Sequence, residues 1–182
     1  MFKLGYYSNN KLQKYHYSNL YNIEQPSNYE RLVIGLENDH INTMMDLFSV
    51  LEEPFYILYV LHTPRAGSEL GRYQSGPLTC EKTSALLNQF KDFLENDSRH
   101  DIWIYSPKTE TTIIYDRHDL IYLYGFKEEH LHIIEEKGLK KERVKIPIPH
   151  VHNYNVEYDS NETELIKKYH WRRMPLQDED YQ

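Results

Sequence analysis

A single cysteine, Cys80, among 182 residues excludes an internal disulfide and any paired-cysteine metal knuckle, and it fits a reducing compartment. Long apolar runs are missing too. The longest, Phe55 to Leu61, is far too short to span a bilayer, and the start MFKLGYYSNN has no apolar signal core, so the expectation is a cytoplasmic protein with no membrane partner. Basic residues are in deficit, 21 against 28 acidic, for a formal charge of −7. Such a field disfavours nucleic acid and favours a cationic protein partner. No Walker, dinucleotide, GxSxG or HExxH string occurs, which removes the best-marked nucleotide, serine-hydrolase and zincin chemistries. Cys80 lies at the start of a predicted helix, where a thiol is activated, but no family-type signature surrounds it and a small buried side chain explains it equally.

What is present suffices for one core. With 40% hydrophobic and 27% charged residues the chain reads as a single globular domain over residues 1–182, with residues 1–28 an irregular or hairpin arm and 174–182 a loose acidic tail. Tyrosine is the unusual component, at 17 residues, and its apolar ring with a polar tip suits half-exposed strands and recognition surfaces.

The elements follow from periodicity and punctuation. Asn9-Asn10 suits a turn between two short strands, and ERLVIGLE reads as a strand. Asn38 or Asp39 caps a helix with Ile41, Met44, Met45, Phe48 and Leu51 on one stripe, ending before Pro54. FYILYVLHT, apolar on both faces, predicts a central strand, and the three glycines and two prolines of TPRAGSELGRYQSGPL predict an irregular loop. Thr79 caps a second helix carrying Leu86, Leu87, Phe90, Phe93 and Leu94. DIWIYSPKTETTIIYD predicts a hairpin about Pro107, followed by the strand DLIYLYG. A short helix over Phe126 to Lys137 closes at Gly138, RVKIPIPHVH is extended, and Asp159 with Glu162 suits a capping box on a last helix. The order predicts an α+β two-layer sandwich, a largely antiparallel sheet with helices mainly on one face.

Chemistry concentrates in IPIPHVH. Along an extended run Pro147 and Pro149 remove two donors from one edge, while Ile146, Ile148, His150 and His152 share a face. Two histidines at i and i+2 can bind zinc or another divalent metal if a third ligand approaches. In YDRHD, Asp116 serves as a ligand or as a histidine orienter, and His118 with Asp119 or Asp116 forms a general base; the competing reading is a type I turn beginning at Asp116. Arg72, in the glycine-punctuated loop, is the candidate for stabilising negative charge. KKYHWRRM combines basic residues with Trp171, a nucleic-acid composition that the overall acidity opposes; Trp171 is read as an anchor for the helix end.

Two functions are expected from these features. The first is an acidic protein-binding module, an inhibitor or immunity-type protein for a basic partner, with Tyr73, Tyr122, Tyr124 and Tyr154 as contacts. The alternative is a metal-assisted hydrolase with His150, His152 and Asp116 at the metal and His118, Asp119 and Arg72 as catalytic groups. A third reading is a structural or regulatory subunit.

Overall fold

The protein is described by a computed structural model covering residues 1–26 and 28–181, with side chains through Asp180. Its strands are β1 (Leu4–Ser8), β2 (Lys11–Lys14), β3 (Leu20–Glu24), β4 (Arg31–Gly35), β5 (Tyr56–Leu61), β6 (Gly71–Gln74), β7 (His100–Ser106), β8 (Thr111–Tyr115), β9 (Leu120–Tyr124), β10 (Lys140–Lys141), β11 (Val151–His152) and β12 (Arg172–Met174). The helices are α1 (His40–Ser49), α2 (Cys80–Asn96), α3 (Glu128–Glu136) and α4 (Asp159–Lys168). Nine strands form one sheet in the order β10-β3-β4-β9-β8-β7-β5-β6-β12, antiparallel except for β10 on β3, and three form a small sheet, β11-β1-β2. This is an α+β fold. No helix among the described residues is long and apolar enough to cross a membrane.

Alternation along the strands sorts side chains to two faces. One face, with Leu32, Ile34, Ile57, Tyr59, Ile102, Ile104, Ile113, Ile121 and Leu123, forms the main core against Met44 and Phe48 of α1, Leu86, Phe90 and Phe93 of α2, Ile134 of α3 and Leu165 of α4. The second face is half covered. Leu4, Tyr17, Val33, Leu120 and Val144 make a small core under the three-stranded sheet, leaving a row of half-buried aromatic and polar residues open beyond it.

Several expectations change. FYILYVL is an interior strand, but β8 holds the middle position and β5 is third from the β12 edge. The glycine-punctuated loop contains β6, because Tyr73 pairs with Tyr59 and buries its ring. The arm supplies both a hairpin, with Asn9 and Asn10 at positive φ, and a strand of the main sheet. Asp39 precedes α1 at φ 63 without capping it by its side chain; Glu95 of α2 accepts the Ile41 amide instead, at 2.8 Å. Glu162 forms no capping box, since its carboxylate accepts from the Arg65 and Ala66 amides, each at 3.1 Å, and from Arg99. The tail is docked: β12 pairs with β6, residues 178–181 make a 3-10 turn, and the Asp180 side chain is buried. Trp171 does anchor a helix end, donating to Leu165 O at 3.1 Å.

Burial also places a histidine in the core. His100 packs against Phe93 and Tyr59, with ring centroids at 4.5 and 5.2 Å, and desolvation, aided by the nearby Lys3 and Arg99 charges, pushes its pKa well below the ordinary value. The unfolded chain therefore binds a proton near pH 6.5 that the folded chain refuses, so stability falls as pH drops below about 6.5. The slope is at most about 1.4 kcal/mol per pH unit for this group. Urea midpoints between about pH 7 and about pH 5 are expected to fall in the wild type and to fall less in His100→Phe; identical slopes would contradict the assignment.

Candidate functional site

The β8–β9 connection is the turn that the sequence suggested. Asp119 N bonds to Asp116 O at 3.2 Å, and Asp116 Oδ1 accepts the His118 and Leu120 amides, both at 3.0 Å. The same turn holds an imidazole. His118 Nδ1 lies 2.7 Å from Asp116 Oδ2, so Nδ1–H donates to the carboxylate and Nε2 is left free as a ligand atom. Burial alone raises the Asp116 pKa, but the His118 hydrogen bond and charge, the Leu120 amide and the Lys3 cation outweigh it and keep the carboxyl below its usual range.

The second source of imidazoles departs from the expected geometry. IPIPHVH is not a flat border: the chain bends over 148–149, Ile148 is 91% exposed, and only Val151 and His152 are strand, paired with β1. Two prolines leave few donors to hold a ladder there. The bend turns His150 back so that its Nδ1 meets Pro147 O at 2.9 Å, again freeing Nε2. His152 follows on β11, opposite Leu4.

The histidines converge. Ring centroids are 5.2 Å apart for His118 and His150, 4.9 Å for His118 and His152, and 5.0 Å for His150 and His152. One nitrogen from each lies within 4.8 Å of the others. Tetrahedral zinc with bonds of about 2.0–2.1 Å would set its ligand nitrogens about 3.3 Å apart, so rotamer adjustments of order ~1 Å close the set. The donors suit a borderline metal. His152 is pushed down to about 4, mainly by burial and then by His118, His150 and Arg117, so it is neutral at neutral pH, and its buried Nδ1 has no hydrogen-bond partner. Of the three imidazoles, two have their second nitrogen already engaged, which orients the free nitrogens of His118 and His150.

His118 and Asp116 also line a groove of about 510 Å³ on the open sheet face. Its other walls include Tyr29, Arg31, Asp101, Trp103, Tyr122, Tyr124 and Asp180. Arg31 stacks on Tyr122 at 4.7 Å, donates to Tyr124 Oη at 3.2 Å and pairs with Glu24 at 2.9 Å. Asp101 is held by His62 Nε2 and by the Arg117 amide, both at 2.8 Å.

The named candidates therefore separate. His118, His150 and His152 come together, with Asp116 behind His118 as orienter rather than ligand. Asp119 turns away: its carboxylate accepts from Tyr115 Oη at 2.5 Å and faces His40 at 3.5 Å, so it serves the core and forms no dyad with His118. Arg72 sits on β6, separated from β8 by β5 and β7. Tyr122 and Tyr124 face the groove, Tyr154 is 38% exposed elsewhere, and Tyr73 is a core residue that no partner can reach, donating to Glu69 O.

Asp101 and Lys3 were missed by sequence reasoning. Lys3 is 1% exposed, donates to Leu94 O at 3.0 Å and lies 3.6 Å from the Tyr115 ring centroid, while its carbonyl accepts the Asn153 amide at 3.0 Å. It is a buried cation beneath the turn, and burial lowers its pKa although Asp119, Asp116, Asp101 and Asp97 oppose the shift. Nothing in MFKLG marks a lysine for burial. Asp101, the second residue of β7, has no motif around it; its signal is the distant His62. Compared with protein-family models, curated proteins and solved structures, the chain matches none.

Proposed function

We propose that the protein is a metal-dependent hydrolase whose His118, His150 and His152 hold one divalent ion, zinc by donor type. The observation that carries this reading is the convergence of three imidazoles, one nitrogen of each within 4.8 Å of the others, at the wall of an open groove. When bound in such a three-histidine site, zinc supplies a Lewis acid and a water acidified to a pKa of about 7. Asp116 fixes the His118 tautomer and raises its basicity. Asp101, clamped by His62 and the Arg117 amide in the same groove, is placed to accept a proton from a nucleophilic water or return it to a leaving group.

The test is metal content of protein purified without a metal-affinity step. About one equivalent of zinc per chain, removed by chelator and restored with a rise in Tm, is the expected outcome. Less than about a tenth of an equivalent, with no Tm response to added zinc, manganese or cobalt, would reject this reading.

A second reading, the acidic module that covers a basic protein, is supported by the exposed Tyr29 and Tyr105 beside the open sheet face together with the charge of −7. It predicts a basic partner whose association weakens steeply with salt. A partner insensitive to ionic strength would remove the electrostatic argument.

A further inference from the structure

The groove beside the histidines is walled in part by the chain's own turn at residues 178–180, and the contact that seats this turn is poor. After β12 pairs with β6, the chain turns over residues 178–181, putting Asp180 on the wall of the groove that His118 also lines. Asp180 is 4% exposed. One of its oxygens accepts the Gln177 amide at 2.7 Å and stands 3.9 Å from Arg72 Nε, a charge contact too long for a hydrogen bond. Its other oxygen is buried without a hydrogen-bond partner, and so is Arg72 Nε.

Arg72 projects from β6 on the same side of the sheet as Trp103. Its guanidinium lies over Trp103, 5.6 Å from the ring centroid, and its Nη1 donates to Gln177 Oε1. Asp180 is the only carboxylate within ion-pair distance of Arg72 among the described residues. Arg31, the arginine that lines the groove, is already paired with Glu24. Lifting the turn would leave Arg72 as an uncompensated cation on an aromatic platform. A carboxylate presented squarely would gain the hydrogen bonds that Asp180 leaves unmade, since a buried donor and a buried acceptor without partners are both costly.

We propose that the open sheet face from Arg72 to the groove beside His118 is a binding site for an extended acidic peptide segment, a carboxylate of which pairs with Arg72 over Trp103, and that residues 177–180 cover its Arg72 end in the resting protein as a displaceable internal mimic. The mimic's own sequence, Gln177-Asp178-Glu179-Asp180, states the ligand chemistry. From Arg72 on β6 to Asp116 beyond β8 is three strand spacings, about 14 Å, which about four extended residues span. An acidic side chain at Arg72 therefore sets a bond about four residues away beside the histidines. That consequence for cleavage rests on the metal reading; peptide binding does not.

The test uses the full chain after chelator treatment, so that failure of the metal site leaves the result intact. The probe is a fluorescein-labelled, amidated peptide of residues 175–180, PLQDED, followed by anisotropy. Asp180→Ala should release the resident turn and bind the probe at least about tenfold more tightly than the wild type. Asp180→Ala combined with Arg72→Met should lose that gain, and the probe with its three acids changed to Asn and Gln should not bind. If Asp180→Ala does not fold, as judged by a cooperative thermal transition, Asp180→Asn serves in its place. No gain on releasing the turn, or a gain that survives loss of Arg72, would overturn the proposal.

Discussion

Replacing His152 by alanine is expected to lower zinc affinity roughly a hundredfold, because apparent binding energies of about 10–16 kcal/mol for four-ligand sites imply some ~3 kcal/mol per ligand. The same loss should follow at His118 or His150. Asp116→Asn should fall between wild type and ligand variants, about tenfold weaker, since it leaves three nitrogens in place and removes only the carboxylate on His118 Nδ1. The graded series separates a metal site from a histidine cluster held by packing. Thermal shift measures it directly: zinc at about 100 times its Kd adds about 2.7 kcal/mol to the wild type and nothing to a variant that no longer binds. Equal shifts in wild type and His152→Ala would place bound zinc elsewhere on the surface.

Arg99→Met should be the most damaging single change in the fold. The Arg99 side chain is fully buried and clasps Asp97 at 2.7 and 2.9 Å, while its Nη1 reaches Glu162 at 2.8 Å and Asp159 at 2.9 Å. Asp97 and Glu162 are as buried as the arginine. Removing the cation strands two carboxylates without compensation, at a cost of about 3–5 kcal/mol. For a chain of this size that is roughly 10–15 °C in Tm. Arg99→Lys should recover little, since a single ammonium cannot reproduce the fork on Asp97. The effect reaches the site as well: Asp97 accepts the Asn155 amide at 2.7 Å and the Ser98 amide bonds Asn153 O at 2.9 Å, so this cluster fixes the chain directly after His152. A loss under about 1 kcal/mol in urea unfolding would show that these charges are solvated in solution.

Local pattern carried most of the architecture. The stripes on α1 and α2, the Thr79 cap, the hairpin of β7 and β8 and the Asp116 turn are each specified by neighbours within a few residues, and each forms where the pattern predicts. Strand order is not local, which is why β5 could be recognised as buried on both faces but not assigned its position. Gly71–Gln74 looked irregular because glycine flanks it; the pairing partner Tyr59 decides otherwise. The docked tail was hidden for the same reason, its buried Asp180 depending on Arg72, which is far away in sequence.

For the site, the sequence marked His150, His152 and Asp116 as metal ligands and His118 as a general base; the fold instead groups His118 with the two histidines and sets Asp116 behind it. The ordering of His150 and His152 comes from the bend at Pro147 to His150 rather than from strand alternation. Lys3, Asp101 and the Arg99 cluster, which support the site from beneath, draw most of their partners from distant parts of the sequence.

Zinc-edge X-ray absorption on the zinc-loaded protein bears most directly on the His118, His150 and His152 assignment. The expected spectrum has three nitrogens and one oxygen at about 2.0 Å from the metal, with more distant scattering from three imidazoles that falls to two in His152→Ala. Nearest neighbours that are all oxygen without imidazole scattering, or a spectrum unchanged in His152→Ala, would contradict it.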